Sequence, residues 1–294
     1  MATSVMPESR LSTTLTACKL QLDLSPLTYE RYWRFGLLPS KLDYQFCKDQ
    51  NTAPVRVSEF SEASRSFPIV FMNDKHHMPH VALGLAPQIN LALTHKYTWR
   101  NGLYLPKELQ VYPFGLLNTN EDDEDEDLFA DSLPIPHEEN EPTKFRSLLA
   151  IDATSPMVVS IQSEPDATPL FNLDGSVTTI VTQTIATQTN IKRDQTKTES
   201  FISAIRANRL LTDKTFKLHF KDDTLLTVSG FSVISKTAFN QLSPTVIERW
   251  KELGYIDYIE QHWASLKKWT RLILLHERRM TRDLNALRLK RKSS

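Results

Sequence analysis

Thr215-Phe-Lys-Leu-His-Phe220 alternates polar and apolar side chains, Lys221-Asp-Asp223 turns the chain, and Leu225-Leu-Thr-Val-Ser-Gly-Phe-Ser-Val-Ile234 runs back. Successive side chains on a strand point to opposite faces, so this period of two on either side of a polar turn predicts a β-hairpin. Gly230 interrupts the return strand and marks a bend or bulge there. The chain then changes character. Ser243 is placed to cap a helix, and Pro244 suits the first turn, where a missing N–H costs nothing. Val246, Ile247 and Trp250 fall in one apolar stripe that Gly254 is set to end. From there Tyr255, Ile259, His262, Leu266, Trp269 and Ile273 recur every three or four residues, and Trp263, Leu272, Leu275 and Met280 widen the stripe. Such a face must be buried, so Trp250, Leu266 and Trp269 are expected in the core or in an oligomer interface. The pattern continues through Leu284 and Leu287 to a basic end, Arg288-Leu-Lys-Arg-Lys292. Strands followed by long amphipathic helices define the fold class as α+β.

Upstream, short strands are expected at Ala53–Val57, Phe67–Met72, Val81–Leu85 and Ile89–Leu93, with a brief helix at Glu59–Ser66 and a turn at Asn101-Gly102 within Trp99–Leu105. Leu109–Leu117 closes this block. Pro68, Pro79, Pro87, Pro106 and Pro113 lack the amide donor that a central strand needs, so they belong at edges, bulges or strand ends. The block is an irregular, mostly antiparallel sheet. Thr198–Leu211 reads as a helix, with Phe201, Ile202 and Ile205 on one side, whereas the threonine-rich Val177–Asn190 reads as a strand or spacer. Glu121-Asp-Asp-Glu-Asp-Glu-Asp127 is a run of seven acids, and residues 121–144 hold eleven acids, one lysine and three prolines. Like-charge repulsion at that density predicts an exposed, disordered insertion. The organisation expected is therefore a mobile leader over 1–28, an aromatic-rich β part over 29–120, the acidic insertion over 121–144, a second α+β part with C-terminal amphipathic helices over 145–276, and a basic helical tail over 277–294. Residues 267–294 carry ten lysines and arginines against two acids, so the acidic and basic blocks together account for much of the zero net charge. Their opposite signs predict a salt-sensitive attraction between them.

Composition bounds the class. The 294 residues are 40% hydrophobic and 24% charged, which is ordinary for a folded protein and leaves no whole-molecule charge to draw a nucleic acid or anionic membrane. Two cysteines, Cys18 and Cys47, make no disulfide framework and point to free thiols in a reducing compartment. The apolar runs are too short to cross a bilayer, and Ser12, Thr13, Thr14 and Thr16 break any signal-peptide core. A cytoplasmic location without membrane insertion is the expectation.

Asp43-Tyr44, Ala53-Pro-Val55, Glu59-Phe60, Phe67-Pro-Ile-Val-Phe71, Val81-Ala-Leu-Gly-Leu85, Asn90-Leu91, Trp99 and Tyr112-Pro-Phe114 follow one another in an order that resembles the N-terminal signature of SapC-like proteins. Leu226–Val233, Phe239–Leu242, Gly254-Tyr255 and His262-x-x-Ser265-Leu266 continue the resemblance, which covers about Tyr29 to His276. It implies no established activity and supplies no catalytic residues. Similar proteins occur beside oxygenase-type or flavin-dependent modification enzymes and outer-membrane receptors, which implies an accessory role. The chain departs from the family pattern at Gly84, where an apolar residue is missing. It departs again at Gln110-Val111, where relatives carry two arginines, and in the length of its acidic run.

His76-His77-x-x-His80 is the only histidine cluster, and imidazoles this close can hold a transition metal. Pro79 prevents the regular helix that would align them, no cysteine is near, and only Asp74 offers a carboxylate, so a polar surface loop is the reading adopted. No metal and no cofactor is expected. The Gly-x-Ser-x-Gly elbow, the dinucleotide fingerprint and the phosphate loop are absent from the sequence. His262 lies on or beside the apolar stripe and reads as a hydrogen-bonded structural histidine. Trp33, Phe35, Tyr44, Trp99, Tyr104, Tyr112 and Phe114 either close a core or coat a surface that receives a peptide strand. The function expected is an accessory or adaptor protein with a protein or peptide partner, leaning away from an enzyme, with homo-oligomerisation open. The alternatives are a metal-dependent enzyme and nucleic-acid binding through the basic tail. The last is disfavoured because no groove of interleaved aromatic and basic residues accompanies that tail.

Overall fold

A computed structural model of the chain describes residues 10–16, 20–120, 132–136, 145–220 and 224–292, the last ten by backbone alone. In chain order the strands are β1 (Arg10–Thr14), β2 (Leu24–Pro26), β3 (Phe35–Leu37), β4 (Thr52–Pro54), β5 (Ile69–Met72), β6 (Pro79–Ala82), β7 (Phe114–Asn120), β8 (Phe145–Asp152), β9 (Val158–Ser160), β10 (Thr168–Pro169), β11 (Leu211–His219) and β12 (Leu225–Ile234). The α-helices are α1 (Tyr29–Tyr32), α2 (Phe60–Ala63), α3 (Lys107–Gln110), α4 (Thr179–Ala207), α5 (Lys236–Phe239), α6 (Pro244–Glu252), α7 (Tyr255–Ser265) and α8 (Trp269–Lys292). The fold is α+β. The chain forms two compact units: Met1–Lys19, Cys47–Pro106 and Lys197–Ser294 make one, and Leu20–Phe46 and Lys107–Thr196 make the other.

The first unit is built on the predicted hairpin. β11 pairs with β12 from Leu211↔Ile234 to His219↔Leu225, with a bulge between Lys214 and Phe216. The turn residues 221–223 lie outside the described residues. The other edge of β12 is shared by two partners. β1 runs parallel to its first half, from Arg10↔Leu225 to Thr14↔Ser229, and β5 runs antiparallel to Phe231 and Ser232. β6 and β4 complete a six-stranded sheet. Part of the presumed leader is thus a strand of this sheet, and Leu15 behind it is buried. Ile89–Leu93, expected as a strand, is instead a loop, tied by the bridge Leu93↔Trp99 and by backbone bonds such as Leu91 N–H to the Leu83 carbonyl.

Gly230 sits where β12 changes partners. Its φ is +88°, and a Cβ there would lie 2.5 Å from Thr14 Cγ2 and 2.6 Å from the Leu15 carbonyl oxygen. Both the backbone region and the space require glycine. The Gly230→Ala variant should lose about 2–4 kcal/mol, from left-handed strain plus overpacking. This should read as a lower urea midpoint at unchanged m-value, and a midpoint matching the wild type would remove glycine's role at this crossing.

The helices cover this sheet through aromatic side chains. Trp269 of α8 meets Phe216 and Phe231 at ring-centroid distances of 4.7 and 5.4 Å, and Leu272 is fully buried. Trp250 is buried, while Leu266 and Trp269 are partly buried against the core. Ser243 caps α6 by accepting the Val246 N–H, Pro244 follows, and Gly254 adopts φ +72° between α6 and α7.

The second unit holds two three-stranded sheets, β2-β8-β7 and β10-β3-β9. Its core gathers Leu27, Tyr32, Leu37, Phe114, Leu149, Ile151, Leu170 and Val181. Ile135 joins that core, because the described residues 132–136 line β8: Ile135 N–H donates to the Ser147 carbonyl, and Leu149 N–H donates to the Leu133 carbonyl. This stretch of the expected insertion is packed, since Leu133 and Ile135 are apolar and Pro134 between them needs no partner for an N–H. The acidic run Glu121–Asp127 lies outside the described residues.

Helix α4 corrects the reading of Val177–Asn190 as strand or spacer. Residues to Thr196 belong to the second unit and those from Lys197 to the first. Its buried positions include Val181, Gln188, Ile191, Asp194, Thr198, Phe201, Ile202 and Ile205, at the spacing of one helical face. Three of these are polar, which hides the apolar period. The threonines that argued for a strand instead turn their hydroxyls to the helix: Thr182, Thr184, Thr187 and Thr189 each donate to the carbonyl four residues back.

Candidate functional site

The histidine cluster does not converge. His76 is exposed, and the His76 and His77 amides both donate to Asp74 Oδ1, at 2.8 and 2.7 Å, closing a polar turn. His80 lies on β6 and is buried, with Nδ1 3.1 Å from the Met78 carbonyl. Burial pushes its pKa down to about 4. Among the described residues no group of three His, Cys, Asp or Glu side chains could hold a metal.

His262, in α7, is fully buried, and its Nε2 accepts the Ile234 N–H at 3.1 Å. An accepting nitrogen carries no proton, so the ring is neutral with its proton on Nδ1. Burial lowers the pKa to about 3, opposed by hydrogen bonding to the Ile69 backbone. Two neighbours extend the attachment: Trp263 Nε1 donates to the Ile234 carbonyl, and Ser265 Oγ accepts the Ile69 N–H. His262, Trp263 and Ser265 together fasten α7 to the end of β12 and the start of β5, which is a structural task.

The aromatic candidates divide between the units. In the second, Trp33 is exposed with the Arg34 guanidinium 4.2 Å from its ring, Phe35 and Tyr44 are half-buried, and Tyr112 and Phe114 are core residues. Phe46 stacks on Tyr112 at 3.8 Å. In the first, Trp99 packs edge-on against Phe67, and the Tyr104 hydroxyl donates to Glu59 Oε1 at 2.8 Å. Glu59 is itself buried and accepts the Arg56 N–H. Burial and this carboxylate push the Tyr104 phenol far above its ordinary range.

A recess that the sequence did not announce lies within the first unit. It is a cleft of about 230 Å³ lined by Lys48, Asp49, Gln88, Asn90, Leu93, Thr94, Tyr97 and Arg279. Asn90 braces its floor: buried, it donates to the Cys47 carbonyl at 3.1 Å and accepts the Ala92 N–H at 2.9 Å. Arg100 reaches back with Nε to the Leu91 carbonyl, and Thr94 N–H to the Thr98 carbonyl closes the loop tip. Two lining residues, Gln88 and Tyr97, hold φ of +55°, uncommon for residues other than glycine. Strain of this kind, of order 1–3 kcal/mol per residue, persists where surrounding structure enforces it and concentrates at ligand-binding sites. Arg279 enters from α8, on which Arg271, Arg278 and Arg282 recur at intervals of seven and four, one helical face. Burial first, and then these four arginines, lower the Arg100 pKa. Chemically the site combines guanidinium and ammonium donors with acceptors on Asp49 and Gln88.

Residues 30–272 match SapC. The chain belongs to the SapC family. No curated protein and no solved structure matches it. The SapC match contains the loop side of the cleft, Lys48 to Arg100, and ends at Leu272, ahead of Arg278, Arg279 and Arg282. The motif His262-x-x-Ser265 falls within the SapC match and does the fastening described above.

Proposed function

We propose that this SapC-family protein is an accessory protein that binds a protein or peptide partner, with the cleft beside Tyr97 as the contact point and a modification enzyme among the partners it could serve. The observation that carries the reading is the cleft itself: an exposed Tyr97 and a strained Gln88 are held over a floor braced by buried Asn90. Preformed, rigid loops of this sort lower the ordering cost of association. A cytoplasmic setting is part of the proposal. Burial pushes the pKa of the Cys47 thiol up to about 12, and no helix among the described residues is long and apolar enough to cross a membrane.

The test is a photocrosslinking amino acid placed at Tyr97, with exposed Leu173 in the other unit as the control position. Irradiation in the native host followed by mass spectrometry should give a defined adduct from position 97 that position 173 does not give. Identical adducts from both positions, or none from 97, would overturn the reading.

A further inference from the structure

The chemistry around the cleft specifies the partner further, and the inference rests on the binding role just proposed. We infer that the cleft and the arginine face of α8 receive an acidic peptide segment, its oxyanions paired by guanidinium groups and its backbone N–H groups accepted by Asp49 and Gln88. Three observations converge. First, Arg279 lines the cleft with Lys48, and Arg271, Arg278 and Arg282 share one face of the same helix within electrostatic reach of Arg100, so the cations gather beside a recess rather than scatter over a surface. Second, Arg271 and Arg278 are exposed, so a ligand can reach them. Each of the four also destabilises the charge on Arg100, which sits half-buried at the back of the loop. Clustered like charges repel, and an anion relieves that repulsion while gaining forked hydrogen bonds.

Third, the cleft is not uniformly basic. Asp49 lines it together with Gln88 and Thr94. A nucleic-acid backbone offers phosphate acceptors and would meet Asp49 as a repulsive carboxylate. A peptide offers amide N–H donors, which that carboxylate accepts, together with side-chain oxyanions for the arginines. The mixed lining therefore favours a peptide. Tyr97 is a single exposed ring rather than a row of stacking platforms. The anion can be a carboxylate of Asp or Glu or a phosphate on a modified side chain, since both fit a guanidinium fork.

The full-length protein is titrated against four fluorescent probes by anisotropy: a glutamate-rich peptide, its phosphoserine counterpart, its glutamine counterpart and a single-stranded oligothymidylate. At least one acidic peptide should bind, the glutamine peptide should not, and the comparison between glutamate and phosphoserine identifies the source of the anion. Affinity should fall about tenfold in Arg271→Glu/Arg278→Glu, in Lys48→Glu, and in wild type as salt is raised. Arg271, Arg278 and Lys48 are exposed, so these variants keep the fold, as circular dichroism will verify. Absence of acidic-peptide binding, affinity unchanged in both variants, or tighter binding of oligothymidylate would overturn the inference. If the partner captured at position 97 is captured equally by Arg271→Glu/Arg278→Glu, the acidic chemistry fails while the accessory role stands.

Discussion

Lowered from pH 7.5 to 5, the protein should lose about 4 kcal/mol of folding stability through two buried histidines, about 2 kcal/mol from each. His262 and His80 have folded pKa values near 3 and 4, against 6.5 for an unburied ring. The sign follows from which state binds the proton. Well above pH 6.5 both rings are neutral in the folded and unfolded chains, and neither contributes. As pH falls below 6.5 the unfolded chain takes up protons that the folded chain refuses, so stability declines until the folded values near 4 and 3 are reached. His276 is buried and lowered as well, by burial first and Arg279 second, and acts in the same direction. For His262 the refusal is geometric. Its Nε2 accepts the Ile234 N–H, and the Phe71 ring lies 5.3 Å away, so a proton on Nε2 would break the bond and leave a charge among apolar groups. Urea melts across this range should show the midpoint falling with pH. In His262→Gln the stability at neutral pH should be lower but the acid slope shallower by about one proton. A flat profile between pH 7 and 5 would mean that these rings charge without opening the fold.

What could be read from the sequence was whatever is encoded locally. The hairpin of β11 and β12, the Ser243-Pro244 start of α6 and the Gly254 break depend on neighbours in sequence, and each is found in the structure. So is the mostly antiparallel sheet, with β1 on β12 as its parallel exception. The N-terminal half of α4 could not be read, because its buried stripe includes Gln188, Asp194 and Thr198 and its threonines satisfy themselves within the helix. β1 was equally silent: Arg10–Thr14 is short and mixed, and its partner lies more than two hundred residues away in β12. The cleft was invisible for a related reason. It joins Lys48-Asp49, Gln88–Tyr97 and Arg279, three stretches with nothing in common until folded, and its two left-handed residues are not glycines. One signal was available and unused, the recurrence of Arg271, Arg278 and Arg282 at helical spacing, which registers as total charge unless it is placed on a helical wheel.

Phe201→Ala should cost about 3–5 kcal/mol, and of the truncations open in the first unit it should be among the most damaging. Phe201 is fully buried on α4, and four aromatic rings surround it: Tyr255 at 5.3 Å, Tyr258 at 5.5 Å, Phe60 at 6.3 Å and Phe71 at 6.4 Å. These rings come from α7, α2 and β5, so Phe201 is the point at which three separately encoded elements agree on one packing. Removing it takes away the transfer free energy of a benzyl group. It also leaves a cavity whose walls are rigid, because the surrounding rings are fixed by edge-to-face contacts with each other, as between Phe60 and Tyr258. Phe201→Leu should cost less than Phe201→Ala, since the branched side chain fills part of the space while losing the ring-edge contacts. Leu253, on the surface between α6 and α7, is the control, and its alanine variant should lie within about 0.5 kcal/mol of wild type. Equilibrium unfolding in urea orders the three variants, and a Phe201→Ala protein as stable as Leu253→Ala would show that the aromatic cluster relaxes around the loss instead of holding the unit together.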